Sequence, residues 1–248
     1  MKIIVIGEKC LDKFIYGNVD RLSPEAPIPV FVPKHIKSND GMAGNVFNNL
    51  KTLSSKSEIF LIHQSNEIIK TRFVEDKSNY PFIRVDEYEN EIKRIVFTDE
   101  IIQSIKSADA VIVSDYDKGF LTEDDLINIA DNSKFSVLDT KKKLSKSLIE
   151  NYFNFIKLNE SEFKNNYTED DIVLKKLIIT LGSKGCKYFN VMFPSDSPKE
   201  TIDVSGAGDT FTAAFTTKYL EVEDVNIAVS YANKMATVVV SKRGVATP

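Results

Sequence analysis

The feature that most restricts what this chain can fold into is a recurrence of short β-branched runs separated by amphipathic stretches. Ile3 to Ile6, Ala110 to Val113, Ser136 to Leu138, Phe155 to Leu158 and Leu177 to Leu181 are each short and mostly apolar. Strands covered on both faces read this way. Between them, Thr98 to Ser107 and Thr122 to Ser133 carry apolar residues at helical spacing, and Thr122, three residues before Asp125, is a capping signal. Strand alternating with helix predicts an α/β fold of three layers, with a mostly parallel central sheet flanked by helices and sites beyond the carboxyl ends of its strands. A chain of 248 residues suits a single domain over 1–248.

Two stretches break the alternation. Phe14 to Pro33 is rich in proline and β-formers, and Lys70 to Phe97 roughly alternates polar with apolar residues. Both read as antiparallel strands. We expect them within 13–34 and 70–97, paired as a small β-sheet lid that would keep water from a reactive phosphate. The alternative is that they extend the edge of the main sheet.

Net charge and residue counts exclude several classes of function. A net charge of −4, with 32 basic residues scattered among 36 acidic ones, gives no reason to expect nucleic acid. The basic run Lys141 to Lys143 reads as a solvated loop. Cys10, Cys186, His35 and His63 are too dispersed for a zinc motif or a histidine-based triad. The apolar run in MKIIVIGEKC is too short for a signal peptide and no segment approaches a membrane span, so the expected location is the cytoplasm, with no membrane partner.

The chemistry concentrates in TIDVSGAGDTF, Thr201 to Phe211. Phe211, Ala214, Phe215 and Tyr219 recur at helical spacing, so the turn Gly206-Ala207-Gly208 opens a helix. Its bare N–H groups suit an anion. Asp209 directly behind that turn would repel a phosphate unless the two act on different atoms of one reaction. Phosphoryl transfer satisfies that condition: the amides of Ala207, Gly208 and Asp209 hold the phosphoryl group while the Asp209 carboxylate accepts the proton of the attacking hydroxyl. The chain lacks G-x-x-x-x-G-K-[ST], and GAGDTF lacks the three-glycine dinucleotide fingerprint, which disfavours a dinucleotide-dependent oxidoreductase. Val225, Ala228, Val229, Ala232, Ala236, Val239 and Val240 predict a second packed helix.

Asn159-Glu-Ser-Glu162, Thr180-Leu-Gly-Ser-Lys-Gly185 and Val204-Ser-Gly-Ala-Gly-Asp209, in that order, resemble the motifs of the ribokinase-like, or PfkB, carbohydrate kinases. The resemblance implies ATP and Mg2+ as cofactors and leaves open a monovalent cation. It implies that Asn159 and Glu162 organise the magnesium, Glu162 through water, that Thr180, Gly182, Gly185 and Asn233 bind the nucleotide, and that Asp209 is the base. Gly7-Glu-Lys-Cys-Leu-Asp12, Tyr16-Gly17, Arg21-Leu-Ser-Pro-Glu-Ala-Pro-Ile-Pro-Val30, Gly41-Met-Ala-Gly-Asn45, Ile83-Arg-Val-Asp86, Ser114-Asp-Tyr-Asp-Lys-Gly119 and Lys242-Arg-Gly244 are similar to the heptose 7-phosphate kinase domain.

By that similarity Asp12 and Asn45 would bind sugar hydroxyls, with Gly41 and Gly44 letting the backbone approach. Lys70, Arg72, Arg84 and Lys118 are the candidate cations for a substrate phosphate. Departures occur at Met42 and Gly44, and in the short stretches Leu50 to Lys70 and Lys187 to Thr201. The sequence stops soon after Gly244, so only the kinase step of the bifunctional kinase–adenylyltransferase form is implied. The expected activity is ATP-dependent phosphorylation of the anomeric hydroxyl of heptose 7-phosphate, giving the 1,7-bisphosphate used to make nucleotide-activated heptose. The alternatives are another sugar or sugar phosphate as acceptor, or a non-catalytic regulator that binds nucleotide or sugar. The family resemblance also implies a homodimer joined through lid strands.

Overall fold

The structure, a computed structural model, describes residues 1–166, 175–195, 204–242 and 246–248. Thr201 to Asp203, Arg243 and Gly244, on which the sequence reading drew, lie outside the described residues. The main sheet has eight strands. These are β1 (Lys2–Gly7), β4 (Glu58–Ile62), β7 (Ala110–Asp115), β8 (Ser136–Thr140), β9 (Phe155–Asn159), β10 (Leu177–Thr180), β11 (Cys186–Tyr188) and β12 (Val191–Phe193). They run in the order β12-β11-β10-β9-β8-β7-β1-β4, parallel from β10 to β4 and antiparallel through β11 and β12.

Helices cover both faces, which is why the strands are mostly apolar rather than alternating. In β1, Ile4 and Ile6 join Val111, Val113, Leu138 and Ile156 beneath α2 (Asp99–Ser107), α3 (Glu123–Asn132) and α4 (Lys146–Asn151). Ile3 and Val5 point the other way, toward α1 (Ala43–Leu53). Next to them, Val137, Phe155 and Ile178 pack on Phe211 and Phe215 of α6 (Ala207–Val222) and on Ala228 and Val229 of α7 (Val225–Val240). The short helix α5 (Glu160–Asn166) follows β9 directly. The expected capping signal of α3 is present: Thr122 accepts from the Asp125 N–H, and the Asp125 carboxylate accepts from the Thr122 N–H at 2.8 Å.

The smaller sheet is separate from the main one, which overturns the edge-strand alternative. Its strands are β2 (Lys9–Leu22), β3 (Pro29–Met42), β5 (Ile68–Glu75) and β6 (Pro81–Glu87), in the order β3-β2-β5-β6. They differ from expectation in three ways. The first hairpin reaches from Lys9 to Met42, beyond 13–34; residues 88–97 form no strand; and β2 pairs with β5 in parallel. Alternation assigns faces but carries no strand direction. Between β3 and β5 the chain passes through α1 and β4 of the main body, and that crossover returns it beside β2 pointing the same way.

Candidate active site

Gly206, at φ 80°, is the N-cap of α6, a left-handed conformation that suits glycine and turns the first amides outward. The Ala207 N–H donates to the Val204 carbonyl at 3.3 Å, whereas Gly208 N–H and Asp209 N–H have no partner among the described residues. Asp209, 6% exposed, follows in the first turn. Its Oδ2 accepts from Asn45 Nδ2 and its Oδ1 from the Tyr116 hydroxyl, both at 2.8 Å. Burial pushes the Asp209 carboxyl up to about 6, with Asp139 adding to the rise; Asn45, Tyr116 and Lys157 pull the other way.

The turn opens onto a cleft of about 640 Å³ at the carboxyl ends of β8, β9 and β10. Asn159, Thr180, Gly182, Gly185, Gly206 to Asp209 and Asn233 all line it, so motifs up to 74 positions apart in the chain converge on one space. Gly185, at φ 94°, is forced: a Cβ there would lie 2.1 Å from the Phe193 carbonyl oxygen. Asn233 donates to the Pro194 carbonyl at 2.8 Å and so ties the segment after β12 to α7. Asn159 and Glu162 cap α5 reciprocally. The Glu162 carboxylate accepts from Asn159 N–H at 2.7 Å and from Nδ2 at 2.6 Å, and Asn159 Oδ1 accepts from Glu162 N–H at 2.9 Å. Lys141 also pairs with Glu162 and lines the cleft, and Lys142 is held by Asp115 and Asp117. Residues 141–143 do form a loop in which Lys141 and Lys143 are exposed, as expected, but Lys142 is drawn in by carboxylates from β7 and the loop after it, which local sequence does not reveal.

The donors suit magnesium carried on a triphosphate. Among the described residues no three His, Cys, Asp or Glu side chains converge as a metal cage. Mg2+ characteristically keeps waters and substrate phosphates and takes one or two carboxylates, a part that buried Glu162 can fill.

Of the residues expected to meet the sugar, Asn45 reaches Asp209 directly. Asp12 is buried and pairs with Arg72. A Cβ on Gly41 would fall 2.0 Å from Asp12 Oδ2, so Gly41 makes room for that carboxylate, whereas Gly44 packs against Asp40 and Lys9. All four candidate phosphate cations have carboxylate partners. Lys70 and Lys118 converge on Glu89, Arg72 meets Asp12, and Arg84 chelates Asp86 at 2.8 and 2.6 Å.

Sequence reasoning missed the residues that hold this arrangement. Thr210 donates to Asn49 at 2.8 Å, Asn49 donates to Asn45 at 3.0 Å, and Asn45 holds Asp209, a buried polar chain linking α1 to α6. The Asn45–Asn49 spacing within an otherwise apolar helix face was the available signal. Buried Glu8 accepts the backbone N–H groups of Tyr116, Lys118 and Phe120, fixing the loop that brings Tyr116 to Asp209. No local pattern announces that contact.

Residues 60–248 match the family described as pfkB family carbohydrate kinase. Over 295 aligned residues the chain is 30% identical to the bifunctional protein HldE of Aliarcobacter butzleri, covering 99% of this chain and 62% of that protein. The protein of the same name from Helicobacter pylori is 31% identical over 301 residues, with 98% and 63% covered. The chain thus spans less than two thirds of the length of these relatives. The fold matches the ribokinase of Arabidopsis thaliana complexed with ribose and ATP, with a TM-score of 0.72, 14% identity and 98% and 93% of the two chains covered. It also matches the ribokinase of Thermotoga maritima, with a TM-score of 0.73, 16% identity and 98% and 94% covered. The chain belongs to the pfkB family of carbohydrate kinases, which are phosphotransferases.

Proposed function

We propose that this pfkB-family kinase transfers the γ-phosphoryl group of ATP to the anomeric hydroxyl of a heptose 7-phosphate, giving the 1,7-bisphosphate. The observation that carries the kinase reading is a buried carboxylate, Asp209, at an N-terminal helix turn that opens into the same cleft as Asn159, Thr180, Gly182, Gly185 and Asn233. The amides of Gly208 and Asp209 receive the phosphoryl oxygens, and the Asp209 carboxylate takes the acceptor's proton. Asn45 and Tyr116 orient that carboxylate. Magnesium, when bound, neutralises charge on the triphosphate; Glu162, through water, and Asn159 are the residues that would hold it.

The sugar identity rests on the motifs shared with heptose 7-phosphate kinases and on the similarity to the proteins named HldE. Asp12, Gly41, Gly44 and Asn45 form the sugar side, and Arg72, Arg84 and Lys118, together with Lys70, are the cations for its phosphate. The pairing of all four cations with carboxylates favours a second reading, an unphosphorylated sugar as acceptor. We also assign a homodimer, on the apolar row Ile36, Ile15, Phe73 and Ile83 that crosses one face of the small sheet, where Ile36 and Ile83 are more than half exposed.

The test is magnesium-dependent ADP release from ATP against heptose 7-phosphate, fructose phosphates, ribose and adenosine, with the Asp209→Asn protein as background. Turnover confined to heptose 7-phosphate is the expected result. Turnover only with an unphosphorylated sugar moves the assignment to the second reading, and binding of ATP without turnover on any acceptor overturns the kinase reading in favour of a regulator.

A further inference from the structure

Lys157 is 4% exposed and lies on β9, two residues before Asn159. An ammonium that deep is costly unless it is paired. Its partner is Asp139, directly across on the adjacent parallel strand β8, whose oxygens accept from Lys157 Nζ at 2.9 and 2.8 Å. Thr212 of α6 steadies Asp139 by donating to its Oδ2 at 3.0 Å. The two hydrogen bonds to Asp139 offset the cost of burying the Lys157 charge.

The position of this pair is what a purely structural ion pair does not require. Both residues line the cleft, and Nζ lies under the anion turn, where a Cβ on Gly208 would come within 3.0 Å of it. Any side chain at Gly208 would therefore stand between the ammonium and the space above the turn. An ammonium has three N–H donors, and among the described residues the two hydrogen bonds of Nζ both go to Asp139. One donor is left for a ligand, at the place where the helix amides also point.

We propose that Lys157 is a catalytic residue of the phosphoryl transfer: its remaining N–H meets an oxygen of the phosphoryl group as that group passes the Gly206–Gly208 turn, and Asp139 and Thr212 position it. The inference rests on the kinase reading above. In the step, the acceptor oxygen forms a bond to phosphorus, the bond from phosphorus to the leaving ADP oxygen breaks, and the acceptor's proton goes to Asp209. Lys157 keeps its protons and acts as a fixed charge in a site shielded from water, where such a charge costs no reorganisation. It also favours the ionised form of Asp209.

The test compares wild type, Lys157→Met and the double variant Lys157→Met with Asp139→Asn. The double variant neutralises both buried charges, so it keeps the question answerable if the single variant, which strands Asp139, does not fold. Kinetics are measured with whichever acceptor the wild type uses, alongside ATP binding and melting temperature. We expect both variants to bind ATP and to lose about 10²- to 10³-fold in kcat, with the acceptor KM changed less than about threefold. In Lys157→Met the acidic limb of the kcat profile should move to higher pH, a change that lost packing alone would not produce, whereas the double variant, which also removes the opposing charge of Asp139, should not show that rise. A folded variant of either kind with kcat within about threefold of wild type overturns the assignment and leaves the kinase reading standing. A wild type that transfers phosphate to no acceptor overturns both.

Discussion

At the scale of single residues, the burial of Asp209 sets two opposed pH dependences. With its carboxyl pushed up to about 6, the base is half protonated near that pH, so kcat/KM should rise through an apparent pKa of about 6. Stability runs the other way. The folded chain holds this proton more tightly than the unfolded chain, whose carboxyl titrates near 3.8, so stability falls as pH rises between 3.8 and about 6, by about 3 kcal/mol in all. Asp209→Asn removes that buried charge. An asparagine can still accept from Asn45 on one side and donate to the Tyr116 oxygen on the other. Urea titrations and kinetics should show a variant more stable than wild type at pH 7, with the advantage gone near pH 4, and slower by about 10²- to 10⁴-fold. Asp209 was legible in the sequence because Gly-Ala-Gly-Asp is contiguous; Tyr116 and Glu8 were not, because their partners lie 93 to 112 positions away.

At the scale of elements, two loops decide what the strands present. Glu89, just after β6, draws in Lys70 from β5 and Lys118 from the loop after β7. A substrate phosphate seeking those cations has to compete with the Glu89 carboxylate. Glu89→Gln should therefore lower KM for a phosphorylated acceptor several-fold, about 1 kcal/mol, and leave KM for an unphosphorylated sugar unchanged. Equal effects on both acceptors would remove the lysine pair from phosphate recognition.

The glycines of the loop after β10 are unequal in the same way. Gly182 has a positive φ but open space around it, whereas at Gly185 a Cβ would strike the backbone of Phe193 to Ser195. Gly185→Ala should cost about 3 kcal/mol and Gly182→Ala about 1 kcal/mol, read from urea midpoints. The Thr-x-Gly-x-x-Gly spacing identified this turn in the sequence, but not which glycine is sterically indispensable. That depends on a hairpin, β11 and β12, folding back over it.

At the scale of the whole molecule, the small sheet leaves an apolar row on one face, with Phe14, Tyr16 and Val74 buried on the other. If that row joins two copies, sedimentation should give a dimer, and Ile83→Lys should yield a monomer that keeps its melting cooperativity. A wild type that sediments as a monomer at micromolar concentration removes the assignment. No helix among the described residues is long and apolar enough to cross a membrane.

The layered architecture was readable from the sequence because a strand buried on both faces is mostly apolar rather than alternating, and a helix on a sheet repeats its apolar residues at its own period. The anion turn and its carboxylate were readable for a related reason: both lie in one unbroken stretch, and helix geometry carries their spacing directly into space. What only the tertiary structure decided is everything that depends on distant segments meeting. The parallel pairing of β2 with β5 follows from a crossover through the main body. The pairing of Lys70, Arg72 and Lys118 with carboxylates joins different strands and loops, as does the lysine under the anion turn, which on its strand looks like one charged residue in an apolar run. Side-chain alternation records which face a residue takes, but the neighbour it meets there is set by how the strands are ordered.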